Sequence, residues 1–250
     1  MKRIISLCII SLLCLSLSAQ KTYVVITGVS NYEGTENDLT QSSKDAKNLS
    51  LLYKNRGAHV TLFTSKYATR ENVIETIQKI AKVAKPADHI VFFYSGHGMP
   101  NTLCTYSENQ SSMLTYSELF AELDKCKAAD IVCYVDACFS GTASSSLHSK
   151  KISDDSWKKI IKANPRYILF LSSRDDELSI EIPLVGAGIF TRSLLKGLRG
   201  KSDVNGDKQV TVKELFSYLY KDVQLHSDKR QHPQLVTSST LHDTVLMSWE

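Results

Sequence analysis

Two apolar runs constrain the fold of this chain most strongly, because a reactive side chain follows each of them. Residues 89–95 are followed by His97, which lies between two glycines, and residues 130–136 are followed by Cys138. Short runs rich in β-branched and aromatic residues, ending at glycine or polar residues, predict buried strands. Functional groups in an open α/β sheet collect beyond the carboxyl ends of its parallel strands. We therefore expect His97 and Cys138 to lie close together at one edge of a sheet.

Strands and helices alternate along the first two thirds of the chain. Strands are predicted at residues 22–29, 58–64, 89–95, 130–136 and 166–172, and helices at 41–54, 70–85 and 115–126. This alternation predicts an α/β fold: a doubly wound, mostly parallel sheet of about six strands with helices on both faces. The remainder predicts helices at 188–198 and 211–223 and an edge strand at 244–247.

Cys138 and His97 have the chemistry of a nucleophile beside a base. A lone cysteine at a strand end most often packs as a small hydrophobic residue. The glycines on either side of His97 weigh against that interpretation, because they remove side chains that would block a substrate and leave main-chain N–H groups accessible.

Residues 94–98 and 136–141 resemble the histidine and cysteine blocks of the caspase-like cysteine peptidases, nearest to the metacaspases and their bacterial relatives. Residues 26–32, 68–73 and 190–195 extend the resemblance. It implies a cysteine endopeptidase that forms an acyl-enzyme, with Cys138 as nucleophile and His97 as general base and then acid. The backbone N–H groups of Gly98 and Cys138 would form the oxyanion hole.

The same resemblance implies a substrate pocket formed by Asp136, Ser95 and Asp45. An unpaired carboxylate at the end of an apolar strand is costly to desolvate, so a cation should complete the pocket. We therefore expect cleavage after Arg or Lys and not after Asp. The alternative is that Asp136 only caps nearby backbone N–H groups.

Two further features of the C-terminal half have a functional and a structural interpretation. Lys150 and Lys151 lie in a polar segment, residues 144–158, where related zymogens are cut, and a solvated loop explains them equally well. Asp203, Asn205, Asp207 and Glu214 have the spacing of a calcium loop. However, Lys208 occupies the position that favours glycine, and Glu214 also forms a capping box with Thr211. No cofactor is therefore expected, and calcium is a weak candidate.

The N-terminus predicts export. Residues 1–19 combine Lys2 and Arg3 with an apolar run and a small-residue end, which is typical of a secretory signal peptide. Residues 20–250 then form one peptidase domain, with a larger portion at 20–149 and a smaller one at 150–250. We expect a periplasmic or secreted monomer without a transmembrane segment.

Charge and cysteine content limit the partners. Of 30 basic residues two lie in the signal segment, so 28 remain against 26 acidic ones, and no basic stripe predicts nucleic-acid binding. Cysteine and histidine spacing gives no support for structural zinc. Because an exported protein can form disulfides, Cys104 with Cys126 is a candidate bridge.

Two rival functions stay open. A gingipain- or clostripain-like endopeptidase shares the Cys/His arrangement, although residues 31–32 and 68–70 favour the metacaspase side. A non-catalytic binding module that kept the sheet is the second rival. Such proteins typically lose the histidine or the cysteine of the dyad, and both are present here as His97 and Cys138.

Overall fold

The computed structural model describes residues 20–32, 35–99, 102–107, 113–137, 162–172, 181–182 and 187–249. The strands in these ranges are β1 Thr22–Gly28, β2 His59–Thr64, β3 His89–Ser95, β4 Gly98–Met99, β5 Thr102–Leu103, β6 Leu114–Thr115, β7 Asp130–Asp136, β8 Tyr167–Leu171, β9 Glu181–Ile182, β10 Ala187–Gly188, β11 Gln209–Thr211, β12 Gln234–Thr237 and β13 Val245–Ser248. The helices are α1 Ser42–Lys54, α2 Arg70–Ala81, α3 Tyr116–Leu123, α4 Ile189–Lys196 and α5 Val212–His226. Single helical turns occur at Thr35–Asn37, Ser65–Tyr67 and Ser239–Leu241, and a wider turn at Gly197–Lys201 continues α4.

The central sheet has six strands in the order β12-β8-β7-β3-β1-β2. The five strands from β2 to β8 are parallel to their neighbours, and β12 is antiparallel to β8. The predicted α/β fold is therefore confirmed. Strands β3 and β7 lie side by side, as their endings suggested, and both are buried along almost their whole length.

Helices cover both faces of this sheet. One core contains the apolar faces of α2 and α3, and the other contains those of α1, α4 and α5. Thr69 caps α2, and Thr115 with Glu118 forms a capping box at α3. Helix α1 lies so close to β1 that a Cβ on Gly28 would strike the carbonyl of Ser42.

The periphery of the fold differs in part from the expectations. The strand predicted at 244–247 forms as β13, and it pairs with β11 in a separate two-stranded sheet. The antiparallel edge of the central sheet is β12, a half-buried strand that the sequence pattern did not predict. The predicted Cys104–Cys126 bridge is also absent: both thiols are buried and free, and the Cys126 Sγ lies 3.9 Å from the main-chain oxygen of Ile77.

At the amino ends of β3 and β7, the partly buried His89 forms a hydrogen bond with the buried Asp130. His89 Nδ1 lies 2.7 Å from Asp130 Oδ2, and both residues line a cavity of about 440 Å³ at the edge opposite to His97. The hydrogen bond to Asp130 raises the pKa of His89 above its usual value, against the effect of burial. His89 therefore has a structural partner at the edge of the sheet opposite to His97.

This pair predicts a pH dependence of stability. Because the folded state binds the His89 proton more tightly than the unfolded chain, its contribution is complete below the unfolded pKa of about 6.5. The contribution is lost as the pH rises through the folded pKa. Between pH 6 and 9 the free energy of unfolding of the wild type should fall more steeply than that of His89→Gln, measured by urea denaturation. A variant that loses stability with pH as steeply as the wild type would contradict the assignment.

Among the described residues, no helix has the length and apolar character needed to cross a membrane.

Candidate active site

The carboxyl ends of β3 and β7 are aligned. Ser95 lies opposite Asp136 in the parallel register, and Gly96 N donates to the main-chain oxygen of Asp136 at 3.2 Å. The chain therefore leaves the sheet at equivalent points, two residues before His97 on one strand and two residues before Cys138 on the other. Cys138 itself lies outside the described residues.

The chain immediately before Cys138 is fixed by the neighbouring strand. Ala137 N donates to Ser172 Oγ at 3.2 Å, and Ser172 N donates to the oxygen of Val135 at 2.9 Å. Gln231 Nε2 donates in turn to the main-chain oxygen of Ser172 at 2.8 Å. These buried hydrogen bonds hold the end of β7 in one position up to the residue that precedes the thiol.

Two tyrosines hold His97. Its backbone N–H donates to the Tyr32 hydroxyl at 2.7 Å, and the two rings lie 4.7 Å apart at a tilt of 46°. The Tyr94 hydroxyl lies 2.7 Å from the His97 main-chain oxygen and 2.8 Å from that of Cys104. A side chain on Gly96 would begin 2.6 to 2.7 Å from both phenol oxygens. Glycine at this position is therefore required by close approach.

The contact of the His97 ring with Asn37 determines its tautomer. Nε2 lies 2.8 Å from the main-chain oxygen of Asn37. A carbonyl oxygen can only accept a hydrogen bond, so Nε2 carries the proton. In the neutral ring Nδ1 then carries no proton. A general base needs such an unprotonated nitrogen to accept a proton.

The sequence did not reveal the contributions of Tyr32 and Asn37. Tyr32 lay inside a segment that resembled the family, but its sequence context gave it no role. Asn37 acts through its backbone oxygen, and such a contact leaves no side-chain signal.

Gly98, predicted to contribute to the oxyanion hole, begins β4 and is buried opposite Leu103 in the β4–β5 pair. This pair and β6 form the three-stranded sheet that follows His97. The assignment of the Gly98 and Cys138 N–H groups to the oxyanion hole stays a prediction, because Cys138 lies outside the described ranges.

The three predicted pocket residues lie together and are buried. Ser95, Asp136 and Asp45 are 3%, 6% and 1% exposed. Asp136 Oδ2 accepts from the Thr191 hydroxyl at 2.6 Å, and Asp45 Oδ2 accepts from Gly188 N at 3.0 Å. A Cβ on Gly188 would lie 3.0 Å from Asp136 Oδ2 and 3.4 Å from Asp45 Oδ2. The fold therefore brings two carboxylates, far apart in sequence, close to one glycine.

Both carboxylates meet the first turn of α4. The N-terminus of a helix carries partial positive charge and stabilises nearby anions. Part of the compensation that these buried acids need therefore comes from the protein, as in the alternative interpretation of Asp136 as a local cap. Neither Thr191 nor Gly188 was predicted as part of the site.

The weak calcium candidates have other partners in the structure. Asp203 accepts hydrogen bonds from the backbone N–H groups of Gly206 and Lys208, and Glu214 caps α5 through Thr211. In the ranges given above, no group of three or more His, Cys, Asp or Glu side chains is arranged to hold a metal ion. The calcium assignment stays untested. Lys150, Lys151 and the remainder of 144–158 lie outside the described residues.

Comparison with known proteins identifies the family. A model of the caspase domain, a peptidase family, matches residues 21–245. The chain belongs to the caspase-like cysteine peptidases. Its fold is also similar to that of a protein from Geobacter sulfurreducens with a known crystal structure, with a TM-score of 0.64, 20% identity, and coverage of 92% of this chain and 100% of that one.

Curated relatives of this caspase-domain chain match over shorter stretches. Metacaspase-1 of Meyerozyma guilliermondii is 36% identical over 78 residues, covering 27% of this chain and 19% of the relative. Metacaspase-1 of Scheffersomyces stipitis is 30% identical over 118 residues, covering 43% and 28%. Metacaspase-1 of Plasmodium falciparum is 23% identical over 184 residues, covering 64% and 29%. The matches thus span less than a third of the length of these relatives.

Proposed function

We propose that this protein is an exported cysteine endopeptidase that hydrolyses peptide bonds after Arg or Lys. Family membership supports the reaction class. The observation that carries the specificity is the pair of buried carboxylates, Asp136 and Asp45, at the edge of the sheet where His97 lies. The names of the relatives favour a metacaspase-type enzyme over the gingipain- or clostripain-like alternative.

In the proposed reaction Cys138 is the nucleophile, and His97 acts first as the base and then as the acid. His97 Nδ1 accepts the Cys138 thiol proton while the sulfur attacks the substrate carbonyl carbon. The imidazolium then donates this proton to the leaving amine as the C–N bond breaks, which leaves an acyl-enzyme. Water, deprotonated by Nδ1, attacks the thioester and releases the carboxylic acid product and the thiol. The N–H groups of Gly98 and Cys138 would bind the oxyanion.

The hydrogen bond from Nε2 to Asn37 takes the place of a third catalytic side chain. It orients the ring and keeps Nδ1 available, and it places a carbonyl dipole against the imidazolium when that forms. A thiol needs less activation than a serine hydroxyl because its usual pKa is about 8.5. A dyad is therefore sufficient for this chemistry.

The electrostatics of the pocket favour a cationic side chain. Two carboxylates at ~4 Å from a guanidinium would each contribute up to about 4 kcal/mol at an effective dielectric of about 20, before desolvation is subtracted. The helix N-terminus that already meets these acids lowers the net gain. A remaining difference of about 2.7 kcal/mol between Arg and a neutral residue still corresponds to a hundredfold selectivity.

The proposal also covers export, a monomeric state and self-processing. The enzyme would be made with a signal peptide at residues 1–19 and would act in the periplasm or outside the cell, as a monomer. It would be cut in residues 144–158, at Lys150 or Lys151, by itself. Calcium dependence is not required by the proposed mechanism and can be tested by assaying activity with a chelator.

The proposed function is tested with matched peptides that differ only in the residue before the cut. We expect kcat/KM for Arg and Lys peptides to exceed that for an Asp peptide by at least about a hundredfold. A citrulline peptide is the matched neutral control, because citrulline has nearly the shape of arginine without its charge. A preference for Asp, or equal cleavage of Arg and citrulline peptides, would contradict the proposed pocket.

A further inference from the structure

Helix α4 contacts the two pocket carboxylates through the backbone of Gly188 and the hydroxyl of Thr191. Gly188 has φ −60° and ψ 145°, an ordinary conformation that any residue adopts. The backbone therefore does not demand glycine here. What disfavours a side chain is the close approach of Gly188 to both acids: a methyl group would lie 3.0 Å from Asp136 Oδ2 and 3.4 Å from Asp45 Oδ2, so the Asp136 carboxylate would have to shift.

Thr191 lies three residues later and is completely buried. Its hydroxyl donates a hydrogen bond of 2.6 Å to Asp136 Oδ2, which is the short distance typical of an O–H donor to an ionised carboxylate. Such a bond fixes the rotation of the carboxylate. It also favours the ionised form, because hydrogen bonds to the charged form stabilise it.

We propose that Thr191 and Gly188 are positioning residues of the specificity pocket. Thr191 fixes the Asp136 carboxylate, and Gly188 supplies an N–H to Asp45 while leaving the space between the two acids empty of side chain. Selection of Arg or Lys thus depends on the start of α4, although α4 lies more than 50 residues beyond Asp136 in the chain. This inference rests on the proposed cleavage after basic residues.

The same helix offers a matched control. The Ser193 hydroxyl, two residues after Thr191, donates a hydrogen bond of the same length, 2.6 Å, to Asp222 Oδ2. Asp222 belongs to α5, and Lys196 Nζ lies 3.5 Å from the same oxygen. Removing this hydroxyl disturbs α4 without touching Asp136 or Asp45.

The experiment compares Thr191→Val, Thr191→Ser and Ser193→Ala with the wild type on the Arg and citrulline peptides. Valine keeps the shape of threonine without the donor, so we expect the Arg-to-citrulline ratio of kcat/KM to fall about tenfold, through KM for the Arg peptide. Serine keeps the donor and should restore the ratio to within about threefold of the wild type. An unchanged ratio in Thr191→Val, or an equal fall in Ser193→Ala, would overturn the inference.

Gly188→Ala provides a second variant at the same pocket. Its methyl group must displace the Asp136 carboxylate, so we expect the Arg peptide to lose more than the citrulline peptide. Equal losses on both peptides would mean that Gly188 only supports the fold, and this would overturn its part in the inference.

Binding of agmatine tests the positioning role of Thr191 independently of the proposed peptide hydrolysis. Agmatine carries the guanidinium of arginine without a peptide bond, and a ligand that binds the native state raises the Tm. The wild type should be stabilised by agmatine, and Thr191→Val by at most half as much. If the wild type cleaves no peptide but this difference persists, the proposed hydrolysis fails while the positioning role stands. Equal stabilisation of the two proteins would overturn the positioning role whether or not peptides are cleaved.

Discussion

Cys138→Ala is expected to abolish peptide hydrolysis while leaving the fold intact. Loss of a covalent nucleophile removes the acyl-enzyme route, so kcat should fall at least about a thousandfold. The substitution removes one sulfur atom two residues after β7 in the chain, and the circular dichroism spectrum and Tm should stay close to those of the wild type. Residual turnover near the wild-type rate would contradict the assignment of Cys138.

The other cysteines provide the control for this result. Burial raises the pKa of Cys104 and of Cys126 to about 11, and it raises the pKa of Cys133 as well. These thiols are almost entirely protonated at neutral pH and should react slowly with iodoacetamide. Cys126→Ala should therefore keep both activity and rapid labelling at Cys138, whereas Cys138→Ala should lose both.

The dependence of this labelling on His97 distinguishes an enzyme from a binding module. In the proposed mechanism His97 Nδ1 withdraws the thiol proton, so His97→Ala should slow the labelling of Cys138 at pH 7. Equal labelling with and without His97 would favour the non-catalytic interpretation.

Mass spectrometry of the same preparations tests self-processing, because Cys138→Ala should remain one chain where the wild type is cut within 144–158.

Asp136→Asn is expected to remove the preference for Arg and Lys. Asparagine keeps nearly the same shape and an oxygen that can accept the Thr191 hydroxyl, so the change removes mainly the charge. The Arg-to-citrulline ratio of kcat/KM should fall about a hundredfold, which corresponds to about 2.7 kcal/mol of lost transition-state stabilisation. Cleavage of the citrulline peptide should change by less than about threefold.

Asp222→Asn is the matched control for this prediction. Asp222 is also an acid that accepts a 2.6 Å hydrogen bond from a hydroxyl of α4, but it lies with Lys196 and His226 and away from the pocket. The substitution should alter stability without altering selectivity. If Asp136→Asn still selects Arg, the pocket is wrong, and Asp136 then serves only the N-terminus of α4.

Much of this architecture followed from local sequence patterns. The apolar runs at 89–95 and 130–136 predicted adjacent buried strands, and the alternation of strands and helices predicted the parallel sheet. Thr211 predicted a helix start because a side-chain oxygen before a helix satisfies N–H groups within the next turn. These patterns are local, so they can be recognised without knowledge of the tertiary structure.

Local patterns did not predict which strands pair at the edges of the sheets, because this pairing joins residues far apart in the chain. β12 is a four-residue strand without clear alternation, and it exists because the edge of β8 offers hydrogen-bonding partners. Residues 245–248 have a strand pattern, but their partner is β11 and not the central sheet. The sequence pattern of a strand does not specify its neighbour, because any edge with matching register satisfies its backbone.

By itself, the sequence predicted the Cys/His dyad and the edge of the sheet at which His97 and Cys138 follow their strands, because adjacent parallel strands end together. Only the tertiary structure showed that His97 Nε2 contacts the backbone oxygen of Asn37, which leaves Nδ1 for the proposed role as base. It alone also placed Gly188 and Thr191 against Asp45 and Asp136. Contacts of this kind join residues separated by 55 to 143 positions in the chain. They arise from packing of the whole chain, and no local pattern encodes them.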